Sequence, residues 1–177
     1  MLKTITIAAG VVVAAIVVVL AYAATRPDRF QVQRSTSIKA SADKIFPLIN
    51  DLHSFNAWNP FAKQDPDIQV SYDGPQSGKG AGYDFASAKS GSGRIEIADA
   101  TPPSRVAMRL TMIRPLKADN RVEFSLEPQG DTTRVTWAMD GEVPFVGKVI
   151  HLFLDMDTMV GQQFSAGLAD LKARAEQ

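Results

Sequence analysis

The chain has 177 residues, and its 19 lysines and arginines balance its 19 aspartates and glutamates. This balance excludes the basic excess that is typical of a nucleic-acid-binding domain. The absence of cysteine excludes disulfides, iron–sulfur clusters, zinc–thiolate sites and a cysteine nucleophile, and the presence of only two histidines argues against an all-histidine metal site.

The first 25 residues are predicted to form a transmembrane anchor. Residues 5–24 carry no charge and are mostly Val, Ile, Ala and Leu. As a helix that rises about 1.5 Å per residue, they would span roughly 30 Å, the thickness of a bilayer's hydrocarbon. A cleaved signal peptide is the alternative, because Ala21-Tyr22-Ala23 has a small-x-small pattern.

The flanking charges do not fix the orientation, since Lys3 and the α-amino group on one side are balanced by Arg26 and Arg29 on the other. A short N-terminal tail favours an extracytoplasmic, periplasmic position for the remaining domain, residues 26–177, and a cytoplasm-facing domain stays open. We therefore predict a single-pass membrane protein with its domain close to the bilayer.

The domain begins with a predicted strand, since apolar and polar residues alternate over residues 30–40. Ser41 is the predicted N-cap of a short helix that carries Ile45, Phe46 and Ile49. A second helical turn around residues 52–55 leads into the loop Trp58-Asn59-Pro60-Phe61.

Period-two alternation then predicts a run of antiparallel strands with one wet face. Together with the first strand they form a sheet of about seven strands, and they lie around residues 68–72, 82–85, 94–97, 105–112, 121–126 and 134–139.

The apolar period changes to 3.6 after about Phe145. Val160, Phe164 and Leu168 lie on one stripe of a helix that ends near residue 175. Asp157 is the predicted N-cap of this helix. One long C-terminal helix is thus expected to cover the apolar face of the sheet.

This order of elements, with its local motifs, resembles the START-like superfamily, also called SRPBCC or the polyketide cyclase/dehydrase superfamily, and in particular its membrane-anchored bacterial members. The resemblance covers residues 30–176, and it rests on Val32-Gln33-Arg34-Ser35, Ile49-Asn50-Asp51-Leu52, Trp58-Asn59-Pro60-Phe61, Arg134-Val135-Thr136-Trp137 and Gly161 with Phe164 and Gly167. It implies an α+β helix-grip fold, in which an antiparallel sheet wraps around the C-terminal helix and encloses an apolar cavity. Some members carry catalytic groups in that cavity and many do not.

Strand parity and the shape of the family predict twelve ligand-binding residues. They are Trp58, Phe61, Tyr83, Phe85, Met108, Met112, Trp137, Met139, Met156, Val160, Phe164 and Gly167. The two glycines of the last helix, Gly161 and Gly167, either permit close packing or leave room for a ligand. No residue matches a catalytic motif, and we predict no metal and no other cofactor.

The leading functional hypothesis is the binding of a hydrophobic small molecule, such as a lipid, a quinone or a polyketide-like compound. One alternative is a cyclase or dehydratase in which His53 or an acidic residue moves a proton inside the cavity. Another is a protein-interaction module with a filled core. The sequence leaves the ligand and the oligomeric state open.

Overall fold

The computed structural model describes residues 2–89 and 91–177, with side chains from residue 9 onward. These residues form helices α1 (Leu2–Ala24), α2 (Ala42–Asn50), α3 (Leu52–Asn56), α4 (Pro60–Lys63), α5 (Phe145–His151) and α6 (Met156–Ala175). The strands are β1 (Arg29–Ile38), β2 (Gln69–Asp73), β3 (Gly82–Ser87), β4 (Gly91–Thr101), β5 (Arg105–Arg114), β6 (Ala118–Gln129) and β7 (Thr132–Glu142).

The described strands form one antiparallel sheet in the order β1-β7-β6-β5-β4-β3-β2. Consecutive strands from β2 to β7 are neighbours, and β1 closes the other edge by pairing with β7. Gly130 turns the chain between β6 and β7 with a φ of +66°, a conformation that glycine adopts without steric cost. The predicted α+β class, the sheet and the long C-terminal helix are confirmed.

The predicted transmembrane helix and the single-pass membrane location are wrong. Among the described residues, no helix is long and apolar enough to cross a membrane. Residues 1–8, on which the rest of that prediction depended, lie outside the described side chains.

An aromatic cluster joins α6 to the sheet. Trp137 of β7 stacks on Phe164 of α6, with ring centroids 4.1 Å apart and planes within 10°. Trp58 meets Trp137 edge-on at 5.8 Å, and Phe55 and Phe124 complete the cluster. These rings are almost completely buried, so they set the distance between helix and sheet.

Both glycines of α6 permit close packing. A Cβ at Gly167 would lie 2.8 Å from Pro60 Cδ and 2.8 Å from Trp137 Cζ3. A Cβ at Gly161 would lie 2.0 Å from Nη2 of Arg34. The open choice between packing and room for a ligand is therefore settled in favour of packing.

The N-terminal end of α6 is fixed by two carboxylates with different roles. Asp155 is the N-cap, and its side chain accepts a hydrogen bond from the Thr158 amide. Asp157, the predicted cap, instead forms an ion pair with Arg34 of β1, with 2.9 Å between Nη2 and Oδ2. The hydrogen bond from Arg34 holds the pKa of Asp157 below its ordinary value. Ser41 does occupy the N-cap of α2, although no capping hydrogen bond from its side chain occurs among the described residues.

Substitution of the two glycines by alanine should distinguish the rigid contact at Gly167 from the flexible contact at Gly161. Gly167→Ala should lower the free energy of unfolding by about 1–3 kcal/mol, because a proline ring and an indole cannot both retreat from the new methyl group. Gly161→Ala should cost less, since the Arg34 guanidinium can swing into solvent. Urea denaturation of both variants measures the difference. Helix propensity alone predicts a gain of roughly 1 kcal/mol at each site, and a more stable Gly167→Ala protein would contradict the packing argument.

Candidate functional site: an apolar cavity between sheet and helix

A cavity of about 380 Å³ lies between the inner face of the sheet and the N-terminal half of α6. Most of the cavity lining comes from the strands, because alternate residues of β2 to β7 point to the same face of the sheet. The helices contribute Phe55 and Asn56 from α3, Phe61 and Ala62 from α4, and one side of α6. Its lining is thus drawn from six strands and three helices of the fold.

Ten of the twelve predicted ligand-binding residues line this cavity. They are Phe61, Tyr83, Phe85, Met108, Met112, Trp137, Met139, Met156, Val160 and Phe164. The lining is dominated by aromatic, aliphatic and methionine side chains. Methionine suits such a wall, because its unbranched side chain adapts to irregular shapes.

Trp58 and Gly167 do not line the cavity. Trp58 is fully buried in the aromatic cluster, and its Nε1 donates a hydrogen bond of 2.8 Å to the Leu48 carbonyl. Gly167 lies one helical turn beyond Phe164, against Pro60 and the benzo edge of Trp137. Both residues belong to the packing between α6 and the sheet. They therefore lie behind the cavity wall.

Nine lining residues were missing from the prediction. They are Phe55, Asn56, Asn59, Ala62, Ile68, Val70, Ile95, Leu110 and Val122. Four of them lie on strands, where the alternation that predicted their neighbours also marks their face. The two asparagines gave no such signal, because their position depends on how α3 and the loop after it pack.

The polar groups of the wall form a small network at its α3 end. Asn59 Nδ2 donates to Asn56 Oδ1 at 3.2 Å, and Asn56 Nδ2 donates to the Tyr72 hydroxyl at 2.9 Å. Burial raises the pKa of Tyr83 well above its ordinary value, and hydrogen bonds with Asn56 and Asn59 oppose that rise only in part. Tyr83 therefore stays uncharged at neutral pH.

Neither histidine reaches the cavity. His53 stacks on Tyr72, with ring centroids 3.7 Å apart, and it borders a separate small depression beside the loop at Gly74. His151 lies edge-on to Phe30 at 6.3 Å. In the part of the chain that the structure describes, no Asp, Glu, His, Lys or Arg lines the cavity, and no cluster of three potential metal ligands occurs.

A wider and more open concavity of about 1190 Å³ lies on the charged face of the sheet. Its arginines are engaged in ion pairs, among them Arg29 with Asp140 at 3.1 Å and Arg109 with Asp119. Exposed pairs of this kind compensate one another's charge. Each arginine that lines this surface is therefore already paired with a carboxylate.

A family model described as "Polyketide cyclase / dehydrase and lipid transport" matches residues 29–176. This match confirms the predicted superfamily, whereas the membrane anchoring predicted with it is not supported. No curated protein matches the chain.

Solved structures share the fold at low sequence identity. Ginseng major latex-like protein 151 from Panax ginseng is 15% identical, with a TM-score of 0.60 over 85% of this chain and 100% of its own. Protein CV1439 from Chromobacterium violaceum is 13% identical, with a TM-score of 0.59 over 86% of this chain and 99% of its own. The Aha1 dimer from Colwellia psychrerythraea is 17% identical, with a TM-score of 0.58 over 83% of this chain and 96% of its own. These likenesses show the fold alone.

The raised pKa of Tyr83 predicts a specific titration behaviour. Tyrosine in an unfolded chain ionises near pH 10, whereas folded Tyr83 keeps its proton, so stability should fall as the pH rises above about 10. Tyr83→Phe should leave the tyrosinate absorbance of the native protein near pH 10 unchanged. In denaturant, the same variant should lose one of the three tyrosine signals, which serves as the control. A native-state signal that disappears with Tyr83→Phe would contradict its burial.

Proposed function

The chain belongs to the polyketide cyclase/dehydrase and lipid transport family, and we propose that it binds a hydrophobic small molecule in the cavity between its sheet and α6. Candidate ligands are a lipid, a quinone or a polyketide-like compound. The cavity itself carries this proposal. Its volume of about 380 Å³ falls within the roughly 300–1,000 Å³ of small-molecule sites.

A void of this size is unusual for a protein of this length. Protein interiors are packed as densely as organic crystals, and few of their voids exceed a water molecule. Here the void is surrounded by large apolar side chains, including Phe85, Met108 and Phe164, that would gain contacts if it closed. Its presence therefore supports a site that is completed by a ligand, and it argues against a protein-interaction module with a filled core.

The chemistry of the wall favours an apolar ligand. Burial of apolar surface contributes roughly 25 cal/mol per Å², and this contribution is non-directional, so few polar groups are needed for affinity. We propose that the ligand contacts the ten predicted lining residues together with the nine that the structure adds. Phe61, with 40% of its surface exposed, lies where the cavity meets solvent.

Binding is favoured over acid–base catalysis in this cavity. The one titratable side chain among the described lining residues is Tyr83, and burial raises its pKa away from the range in which it could exchange protons at neutral pH. His53, the general base of the alternative hypothesis, instead stacks on Tyr72 outside the cavity. The described wall therefore offers the enzymatic alternative no group that transfers protons at neutral pH.

Filling the cavity should abolish binding. Leu110→Trp adds bulk on the inner face of β5, and it should weaken binding of the uncharged probe N-phenyl-1-naphthylamine by at least about tenfold, because the indole takes the space of the probe. Fluorescence titration measures the affinity. Mass spectrometry of an organic extract of the purified protein tests for a bound natural compound, which should be present in the wild type and absent in the variant.

Thr111→Trp is the matched control, because the neighbouring position on β5 points to the opposite face of the sheet. It should bind the probe as the wild type does. Circular dichroism must show that both variants are folded. Unchanged binding by folded Leu110→Trp would place the binding site elsewhere.

A further inference from the structure

The cavity is elongated along strand β5. Met108 and Met112 both line it, and they lie four residues apart on that strand. At about 3.4 Å per residue, they are separated by roughly 14 Å along the strand, and both point to the same face of the sheet. The cavity therefore has two ends, an inner end at Met108 and an outer end at Met112.

The inner end is shielded from solvent and lies beside the aromatic cluster. Met108 pairs across the sheet with Val122, which pairs in turn with Met139. Both methionines are buried, with 2% and 8% of their surface exposed. Trp137, two residues before Met139 on the same face of β7, stacks on Phe164. Thioethers and flat rings thus form the inner end.

Exposure divides the described lining residues by their chemistry. Five of the six aromatic ones are buried, namely Phe55, Tyr83, Phe85, Trp137 and Phe164. Six of the seven aliphatic ones are half-buried, namely Ala62, Ile68, Val70, Ile95, Leu110 and Val160. Met112 at the outer end is half-buried as well. The shielded part of the wall is therefore rich in rings, and the part with access to solvent is mainly aliphatic.

These two kinds of wall favour different chemical groups. Aromatic rings gain from one another beyond the area they bury, because the negative face of one ring meets the positive edge of the next, and thioethers also contact rings favourably. A saturated chain gains only in proportion to its buried area, and an aliphatic wall supplies that area as well as an aromatic one. The two ends of the cavity therefore suit different parts of one molecule.

We propose that the ligand is an elongated molecule with a flat, unsaturated ring system at the inner end, against Met108, Met139 and Trp137, and an aliphatic tail that extends towards Met112. This assignment rests on the proposed function of the cavity and names the chemical class that the cavity selects. A straight-chain lipid lacks the ring, and a ring compound without a tail leaves the outer end unfilled.

Three uncharged probes test the two parts of the ligand separately. They are 2-butylnaphthalene, which has a ring system and a tail; 2-butyldecalin, its saturated counterpart; and naphthalene, which has no tail. Displacement of N-phenyl-1-naphthylamine gives their affinities. Relative to its partitioning from water into hexadecane, 2-butylnaphthalene should bind about three- to tenfold more tightly than 2-butyldecalin, because only the naphthalene gains the aromatic contacts.

Met112→Ala tests the position of the tail. It should lower the affinity for 2-butylnaphthalene at least about threefold more than the affinity for naphthalene, because the tail loses apolar wall that the ring does not touch. Thr111→Ala is the matched control, since the neighbouring position on β5 points to the opposite face, and it should change neither affinity. Circular dichroism must show that both variants are folded.

Methionine methyl signals locate the ring in the wild-type protein and need no folded variant. Labelling with ¹³C-methyl methionine gives one signal for each of the six methionines. Bound 2-butylnaphthalene should shift the signals of Met108 and Met139 more than that of Met112, through the ring current, whereas 2-butyldecalin should shift them little. Met159, which is 51% exposed and outside the cavity lining, is the internal control.

The outcomes separate this proposal from the one on which it rests. The largest shift at Met112 would place the ring at the outer end and overturn the assignment. Equal corrected affinities for 2-butylnaphthalene and 2-butyldecalin overturn the ring, and an unchanged tail contribution in folded Met112→Ala overturns the position of the tail; apolar binding stays intact in each case. If no probe binds to the folded wild type, the proposed function itself fails, and the ligand assignment fails with it.

Discussion

The stacking of Trp137 on Phe164 is the contact on which the rest of the architecture depends. It presses the middle of α6 against β7, and Gly167 allows this approach because it has no Cβ to meet Pro60 and the indole. The C-terminal half of α6 is therefore tightly packed, with Leu168 and Leu171 buried. The other half, which carries Met156 and Val160, borders the cavity. The helix grip is thus asymmetric, closed at one end and hollow at the other.

Ion pairs on the protein surface join the N-terminal half of α6, which borders the cavity, to the sheet. Arg34 of β1 binds Asp157 at the start of α6, so the helix is held on the sheet's edge where the apolar core gives it less support. At the other end of the sheet, Arg94 lies 2.9 Å from Asp73 and 3.3 Å from Glu96, which links β2 to β4. Register shifts in β4 mark irregularities of the kind that bend a strand. The frame around the cavity therefore carries ion pairs at both edges of the sheet.

Sequence periodicity was sufficient to predict the strands and most of the cavity wall, because a period of two assigns a face to each residue. Periodicity could not predict whether a residue on that face lines the cavity or lies behind its wall. Trp58 and Gly167 belong to the right region, but their place behind the wall depends on Pro60 and Leu48, which the fold brings to them. The N-cap shows the same limit, since the partner of Asp157, Arg34, is 123 residues away in the chain. The membrane prediction is wrong, since the described part of the chain contains no helix long and apolar enough to cross a membrane.

Affinity and selectivity have different sources in such a cavity. Apolar burial favours every hydrophobic molecule that fits, in proportion to the area removed from water, so this contribution distinguishes ligands mainly by size. Discrimination between chemically different ligands requires polar groups in the wall. Their desolvation is not compensated when a ligand atom that cannot pair with them lies opposite. In the described wall these groups are uncharged, and they are the side chains of Asn56, Asn59 and Tyr83. Because none of them can exchange a proton near neutral pH, selection in this cavity must act on ligand shape and hydrogen-bonding capacity, and it should be insensitive to pH across the physiological range.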